Sequence, residues 1–119
     1  MNIYESSEDY LERIYMLQLE KGYVKSVDVA KRLNVSKPSV SFAMKQLSEN
    51  DYITMDENKY IHLTEKGLDI AKSMYHRHMT LAKILMGIGV SEENAYKDAC
   101  KMEHDISEET FEALKALIK

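Results

Sequence analysis

The chain has 119 residues, with one cysteine, one proline, four glycines and no tryptophan; 45% are hydrophobic and 30% charged, the balance of one compact water-facing domain or two small lobes. A single cysteine excludes an intrachain disulfide, no apolar run approaches the roughly 18 residues that span a bilayer, and the opening Met1-Asn2-Ile3-Tyr4-Glu5-Ser6 lacks a basic stretch followed by an apolar one, so the expectation is a cytoplasmic protein with no membrane role. The formal net charge of −4 hides an asymmetry of six bases against one acid from Lys21 to Lys45 and eight acids against two bases from Ser91 to Glu112, so one part suits phosphates and another suits cations, unless both are only solvated helix faces.

In chain order, Ser6 or Ser7 is expected to cap a helix from about Glu8 to Glu20 that stops at Gly22, with Ser6-x-x-Asp9 as a loose capping box. Ser26 precedes a short helix whose apolar positions are Val29, Ala30 and Leu33, and Asn34-Val35-Ser36 breaks it. Ser36 caps a third helix with Pro38 in its first turn, where a missing N–H costs nothing, and with Val40, Ala43, Met44 and Leu47 as its apolar face. Tyr52-Ile53-Thr54-Met55 and Tyr60-Ile61-His62-Leu63 flank the polar turn Asp56-Glu57-Asn58-Lys59 and read as a hairpin. Thr64 caps a long helix from about Glu65 to Met86 that tolerates Gly67 near its start and ends at Gly87 and Gly89. Ser91 and Ser107, each followed by two glutamates, open the last two helices. The fold class is therefore mainly α: a winged helix-turn-helix with a two-stranded wing over residues 1–70, then an all-helical lobe over 71–119, joined by the long helix.

Two helices around a three-residue turn followed by a hairpin form the winged helix-turn-helix pattern, whose second helix enters the major groove of double-stranded DNA. The candidate DNA-contacting residues are Ser36, Lys37, Pro38, Ser39, Ser41, Phe42 and Lys45, with Lys59 at the hairpin tip beside a phosphate backbone. Serine hydroxyls meet phosphates or base edges, lysines release counterions, and an aromatic ring suits a thymine methyl. The plainer reading is that such helix pairs also serve as protein-interaction folds and that lysine-bearing faces are often only solvated.

Asp9 and Glu12 stand three apart on one helix face, and Cys100, Glu103 and His104 at i, i+3 and i+4 on another. His78 lies midway along the long helix. A thiolate, three carboxylates and two imidazoles form a metal-ligand set if the first helix packs across the second lobe, and its four anionic groups would be neutralised by two divalent cations. Taken singly, each has a plainer reading: Asp9 as a cap, Glu12 as a lysine partner, Cys100 as packing and His78 as a core histidine. His62 and His76 fall outside the set, one in the hairpin and one on another helix face.

The stretches Glu8-Asp9-Tyr10-Leu11-Glu12-Arg13-Ile14-Tyr15, Val35-Ser36-Lys37-Pro38-Ser39-Val40-Ser41, Leu63-Thr64-Glu65-Lys66-Gly67, Arg77-His78 and Cys100-Lys101-Met102-Glu103-His104-Asp105-Ile106-Ser107 resemble the diphtheria toxin repressor family, its manganese transport regulator branch in particular. The resemblance implies a homodimeric, metal-activated repressor that binds operator DNA through its winged helix, dimerises and binds metal through its helical lobe, and controls metal-uptake genes. By position it implies Asp9, Glu103 and His104 on one ion and Glu12 and His78 on a second, with Glu103 able to bridge. Cys100 departs from the manganese branch, which has a glutamate there, whereas a cysteine is usual in the iron branch. A thiolate favours Fe(II), Co(II) or Zn(II), and the Asp9 and Glu12 carboxylates Mn(II), so the expected corepressor is Mn(II) or Fe(II), with Co(II) or Zn(II) able to substitute in vitro. The rival readings are a winged-helix regulator not gated by metal and a hydrolase using Cys100 as nucleophile and His104 as base. No glycine-rich loop or oxyanion arrangement supports the second, and no small-molecule substrate is expected.

Overall fold

The computed structural model describes residues 5–118, with side chains from residue 7 onward. The elements run α1 (Glu5–Lys21), α2 (Ser26–Leu33), α3 (Lys37–Glu49), β1 (Ile53–Met55), β2 (Ile61–Leu63), α4 (Glu65–Gly87), α5 (Glu92–Asp105) and α6 (Glu108–Lys115). They divide into two compact units, Met1–Lys72 and Ser73–Lys119, with the division inside α4.

In the first unit, Leu11, Ile14 and Leu17 recur at helical spacing along α1 and are buried together with Val24, Val29, Val40, Met44, Leu47, Ile53 and Ile61. Burying each such side chain contributes about 1.5–3 kcal/mol. α1 begins at Glu5, so Ser6 and Ser7 lie in its first turn and neither is the cap expected of them; the side chain of Ser6 is outside the described residues. α2 begins at Ser26 itself rather than just after it. Its cap position is Lys25, whose backbone N–H donates to the Asp28 carboxylate at 2.9 Å, and Ser26 is already helical. The Asp28 carboxylate in the first turn thus satisfies the N–H of the cap residue itself. Asn34, left-handed at φ 55°, ends α2, and the Ser36 side chain caps α3 by accepting from the Ser39 N–H at 3.3 Å.

The strands pair antiparallel with Ile53 opposite Leu63 and Met55 opposite Ile61. The turn between them is held by Asp56, whose carboxylate accepts from the N–H groups of Asn58 (2.9 Å) and Tyr60 (3.0 Å), while Lys59 takes the left-handed conformation at φ 69°. At the start of α4 the Thr64 hydroxyl accepts from the Gly67 N–H at 3.1 Å and donates to the Asp51 carbonyl at 2.6 Å. Gly67 is required rather than tolerated: a Cβ there would stand 2.0 Å from the Tyr52 carbonyl oxygen.

In the second unit the buried apolar residues are Leu81, Ala82, Ala95, Ala99 and Phe111, with Ile84, Leu85, Tyr96, Met102 and Ile106 half-buried around them. Ala95 and Ala99, one turn apart, let α5 pack closely. Ser91 and Ser107 cap α5 and α6 by accepting from the N–H groups of Asn94 (3.3 Å) and Thr110 (3.1 Å), and Gly89, at φ 103°, carries the chain out of α4.

Candidate metal centre and DNA-binding surface

The helical unit contains a buried donor cluster. Glu103, on the inward face of α5, is fully buried, and its two carboxylate oxygens face different imidazoles: Oε2 lies 3.2 Å from His78 Nδ1 and Oε1 lies 3.2 Å from His104 Nε2. One ligand atom from each of His78, Cys100 and Glu103 lies within 4.8 Å of the others. Ligands held at about 2.0–2.3 Å from a common ion stand at most about 4.6 Å apart, so these donors need only small adjustments to share one. The His78 ring is further fixed by stacking on Tyr96, with centroids 5.9 Å apart and planes at 24°. A carboxylate removed from water is costly unless it is paired with positive charge, and a thiol, a carboxylate and an imidazole together are the donor chemistry of a borderline divalent ion. The residues therefore fit a bound metal. His76 is exposed at the edge of the Phe111 ring, and His62 hydrogen-bonds Asp56 in the hairpin at 2.9 Å; both stay outside the cluster, as their sequence positions suggested.

Asp9 and Glu12 belong to the other unit, on one face of α1. The Arg13 guanidinium lies 3.8 Å from a carboxylate oxygen of each, an arginine where the plainer reading of Glu12 had a lysine. Glu12 is buried and Asp9 partly exposed.

One residue of the helical unit has no role in the sequence reading. Arg77, 9% exposed, donates through Nη1 to the carbonyls of Glu103 (2.9 Å) and Ile106 (3.1 Å) and through Nη2 to the Glu108 carboxylate (2.8 Å). The Arg77 guanidinium holds the Glu108 carboxyl below the usual glutamate range. The available signal was its place beside His78 in the middle of a long helix.

In the first unit Ser36, Lys37, Pro38, Ser39, Ser41, Phe42 and Lys45 are all exposed along the start and outer face of α3, and Lys59 is exposed at the hairpin tip. Phe42 is 66% exposed on the same face as the serines and lysines. Asp28, the only acid in the basic stretch, accepts from Lys21 Nζ at 2.8 Å, and that hydrogen bond holds its carboxyl below the usual range. Arg32 pairs with Glu20.

A winged helix-turn-helix presenting serines, lysines and a phenyl ring, in one chain with a helical unit that buries imidazoles, a carboxylate and a thiol, defines the class of metal-binding winged-helix transcription regulators. Residues 2–63 match the family model for the iron dependent repressor N-terminal DNA binding domain, and residues 64–119 match that for the iron dependent repressor metal binding and dimerisation domain. The chain belongs to the iron dependent repressor family, a family of metal-dependent DNA-binding regulators, and is not an enzyme; the hydrolase reading of Cys100 and His104 is thereby set aside. It is 37% identical over 114 residues to the HTH-type transcriptional regulator MntR of Geobacillus kaustophilus, covering 96% of this chain and 81% of that protein. Among solved structures it is similar to the manganese regulator SloR (TM-score 0.82, 28% identity, 99% of this chain and 54% of that one). It is also similar to a manganese-dependent transcriptional repressor in complex with manganese (TM-score 0.84, 26% identity, 93% and 51%). The chain spans about half the length of these two structures. Among the described residues no helix is long and apolar enough to cross a membrane.

Proposed function

We propose that this chain works in the cytoplasm as a homodimeric repressor whose affinity for double-stranded operator DNA upstream of metal-uptake genes is set by a divalent metal, Mn(II) or Fe(II). The observation that carries the reading is the buried Glu103 carboxylate with a different imidazole at each oxygen. That arrangement supports two ions sharing Glu103. Cys100, grouped with His78, would serve the ion of His78 and Glu12, and Asp9 would join His104 on the other. Bound metal supplies the positive charge that neutralises four anionic donors, Asp9, Glu12, Glu103 and the Cys100 thiolate.

Without that charge the same donors repel one another, and the carboxylates of α1 have no reason to associate with the thiolate and carboxylate of α5. When they do associate, α1 and the winged helix that packs on it take one orientation in each protomer. The population then shifts toward a dimer whose two α3 helices match half-sites about one helical turn apart or a multiple of it. Ser36, Lys37, Pro38, Ser39, Ser41, Phe42 and Lys45 would meet the major groove, and Lys59 the adjacent backbone. Support for Mn(II) comes from the carboxylates and from the manganese regulators this chain resembles, and support for Fe(II) from the thiolate.

The test is an anaerobic DNA-binding titration on the gene's own upstream region, with chelator, Mn(II), Fe(II), Co(II) and Zn(II) in parallel. Binding only in the metal lanes is expected, with the order of potency showing whether Cys100 or the carboxylates set selectivity. Equal binding in every lane would leave a winged-helix regulator not gated by metal.

A further inference from the structure

We propose that Arg77 is a positioning residue of the metal centre, holding the main chain of Glu103 so that its carboxylate stays between His78 and His104. The inference rests on the ligand assignment above and extends it to a residue that donates nothing to the metal.

The last carbonyls of a helix have no partner within it, and helix ends fray for that reason. Glu103 lies in the last turn of α5, the place where a ligand is least well held by its own helix. Arg77 removes that weakness. Its Nη1 takes the carbonyl of Glu103 itself and that of Ile106, the residue just past the helix, and its Nη2 reaches Glu108 at the first position of α6. The guanidinium carbon sits 5.1 Å from the centre of the Phe111 ring, which fixes the plane of the fork. One side chain therefore ties the end of α5, the connector and the start of α6 to α4.

Arg77 precedes His78 directly, so one turn of α4 grips Glu103 twice: Arg77 at its carbonyl, 2.9 Å away, and His78 at its carboxylate, 3.2 Å away. The spacing between His78 and Glu103, on which sharing an ion depends, is then set by two adjacent residues of a continuous helix. Lysine cannot replace this, because one ammonium on a flexible stem does not reproduce a planar fork spanning two carbonyls and a carboxylate.

The test is an anaerobic Co(II) titration of the full chain, reading affinity by chelator competition and ligand geometry from the visible and thiolate charge-transfer bands. Arg77→Lys is expected to weaken Co(II) binding by about tenfold or more, the range for partners that orient ligands, and to alter the visible bands while far-UV circular dichroism persists. Glu108→Ala, which leaves both carbonyl bonds in place, is expected to weaken Co(II) binding less than Arg77→Lys does. A lower thermal midpoint for Arg77→Lys with unchanged Co(II) affinity and spectrum would show a merely structural arginine and overturn the proposal. If Arg77→Lys does not fold, Arg77→Gln decides: weakened Co(II) affinity with altered bands supports the proposal, and affinity and bands equal to wild type overturn it. A wild-type chain that takes up no Co(II) overturns the ligand assignment itself, and the proposal with it, and is distinguished by being seen before any substitution is made.

Discussion

Residues 7–72 are closed chiefly by branched and long apolar side chains, among them Leu11, Ile14, Val29, Met44, Leu47, Ile53 and Ile61, and their charged groups lie mostly at the surface in pairs such as Lys21 with Asp28. Residues 73–119 have a thinner apolar core, three of whose five fully buried members are alanines, and they bury Arg77, His78 and Glu103 beside it. Among its described residues the first unit buries a single carboxylate, Glu12, against a core otherwise made of apolar side chains. The second places polar groups where an apolar core would place leucines, and under the proposed ligand assignment a divalent cation would offset the cost of burying Glu103. The winged helix-turn-helix unit is thus held mainly by apolar packing, whereas the helical unit combines a thinner apolar core with buried polar side chains.

The largest effect should come from breaking the packed unit. Gly67→Ala, which drives a methyl group to 2.0 Å from the Tyr52 carbonyl, should destabilise residues 7–72 by about 3 kcal/mol or more, read as a lowered denaturant midpoint with or without metal. Next is the metal itself: free Mn(II) or Co(II) at about 100 times its dissociation constant should stabilise the folded chain by about 2.7 kcal/mol. Chelator should cancel that gain, and Glu103→Gln should never show it, in thermal unfolding followed by circular dichroism. Smaller again, Phe42→Ala should cost about 1 kcal/mol or more of operator binding in an anisotropy titration, with folding unchanged because the ring is exposed. Smallest is a pH effect on the first unit alone. The folded-state carboxyl of Asp28 is held low, first by the hydrogen bond from Lys21, so its contribution is complete above about pH 4, where the unfolded carboxyl is ionised, and fades as pH falls through the folded-state value. Asp28→Asn should flatten the acid limb of stability against pH.

The hairpin, the α3 face of Val40, Met44 and Leu47, and the caps at Ser36, Thr64, Ser91 and Ser107 were legible because each rests on local spacing or on one side chain reaching its own helix end. The missed start of α1 and the Lys25–Asp28 opening of α2 show the limit of that logic, since several polar residues compete to cap a helix and the winner depends on where the helix happens to begin. Gly67 read as a tolerated helix residue because its reason is a carbonyl from another element, which no local pattern displays. His78, Cys100, Glu103 and His104 stood out by residue type and spacing. Arg77 did not, because its partners are main-chain carbonyls 26 and 29 residues away.

The measurement that bears most directly on metal-gated DNA binding is a fluorescence anisotropy titration of the full chain and of Glu103→Gln on the gene's upstream region across a range of free Mn(II). The account predicts that wild-type affinity climbs at least tenfold as metal rises, a gain of about 1.4 kcal/mol, while the variant stays at the level of the chelated wild type. Identical curves for the two chains, or a wild-type curve that does not change with metal, would contradict it.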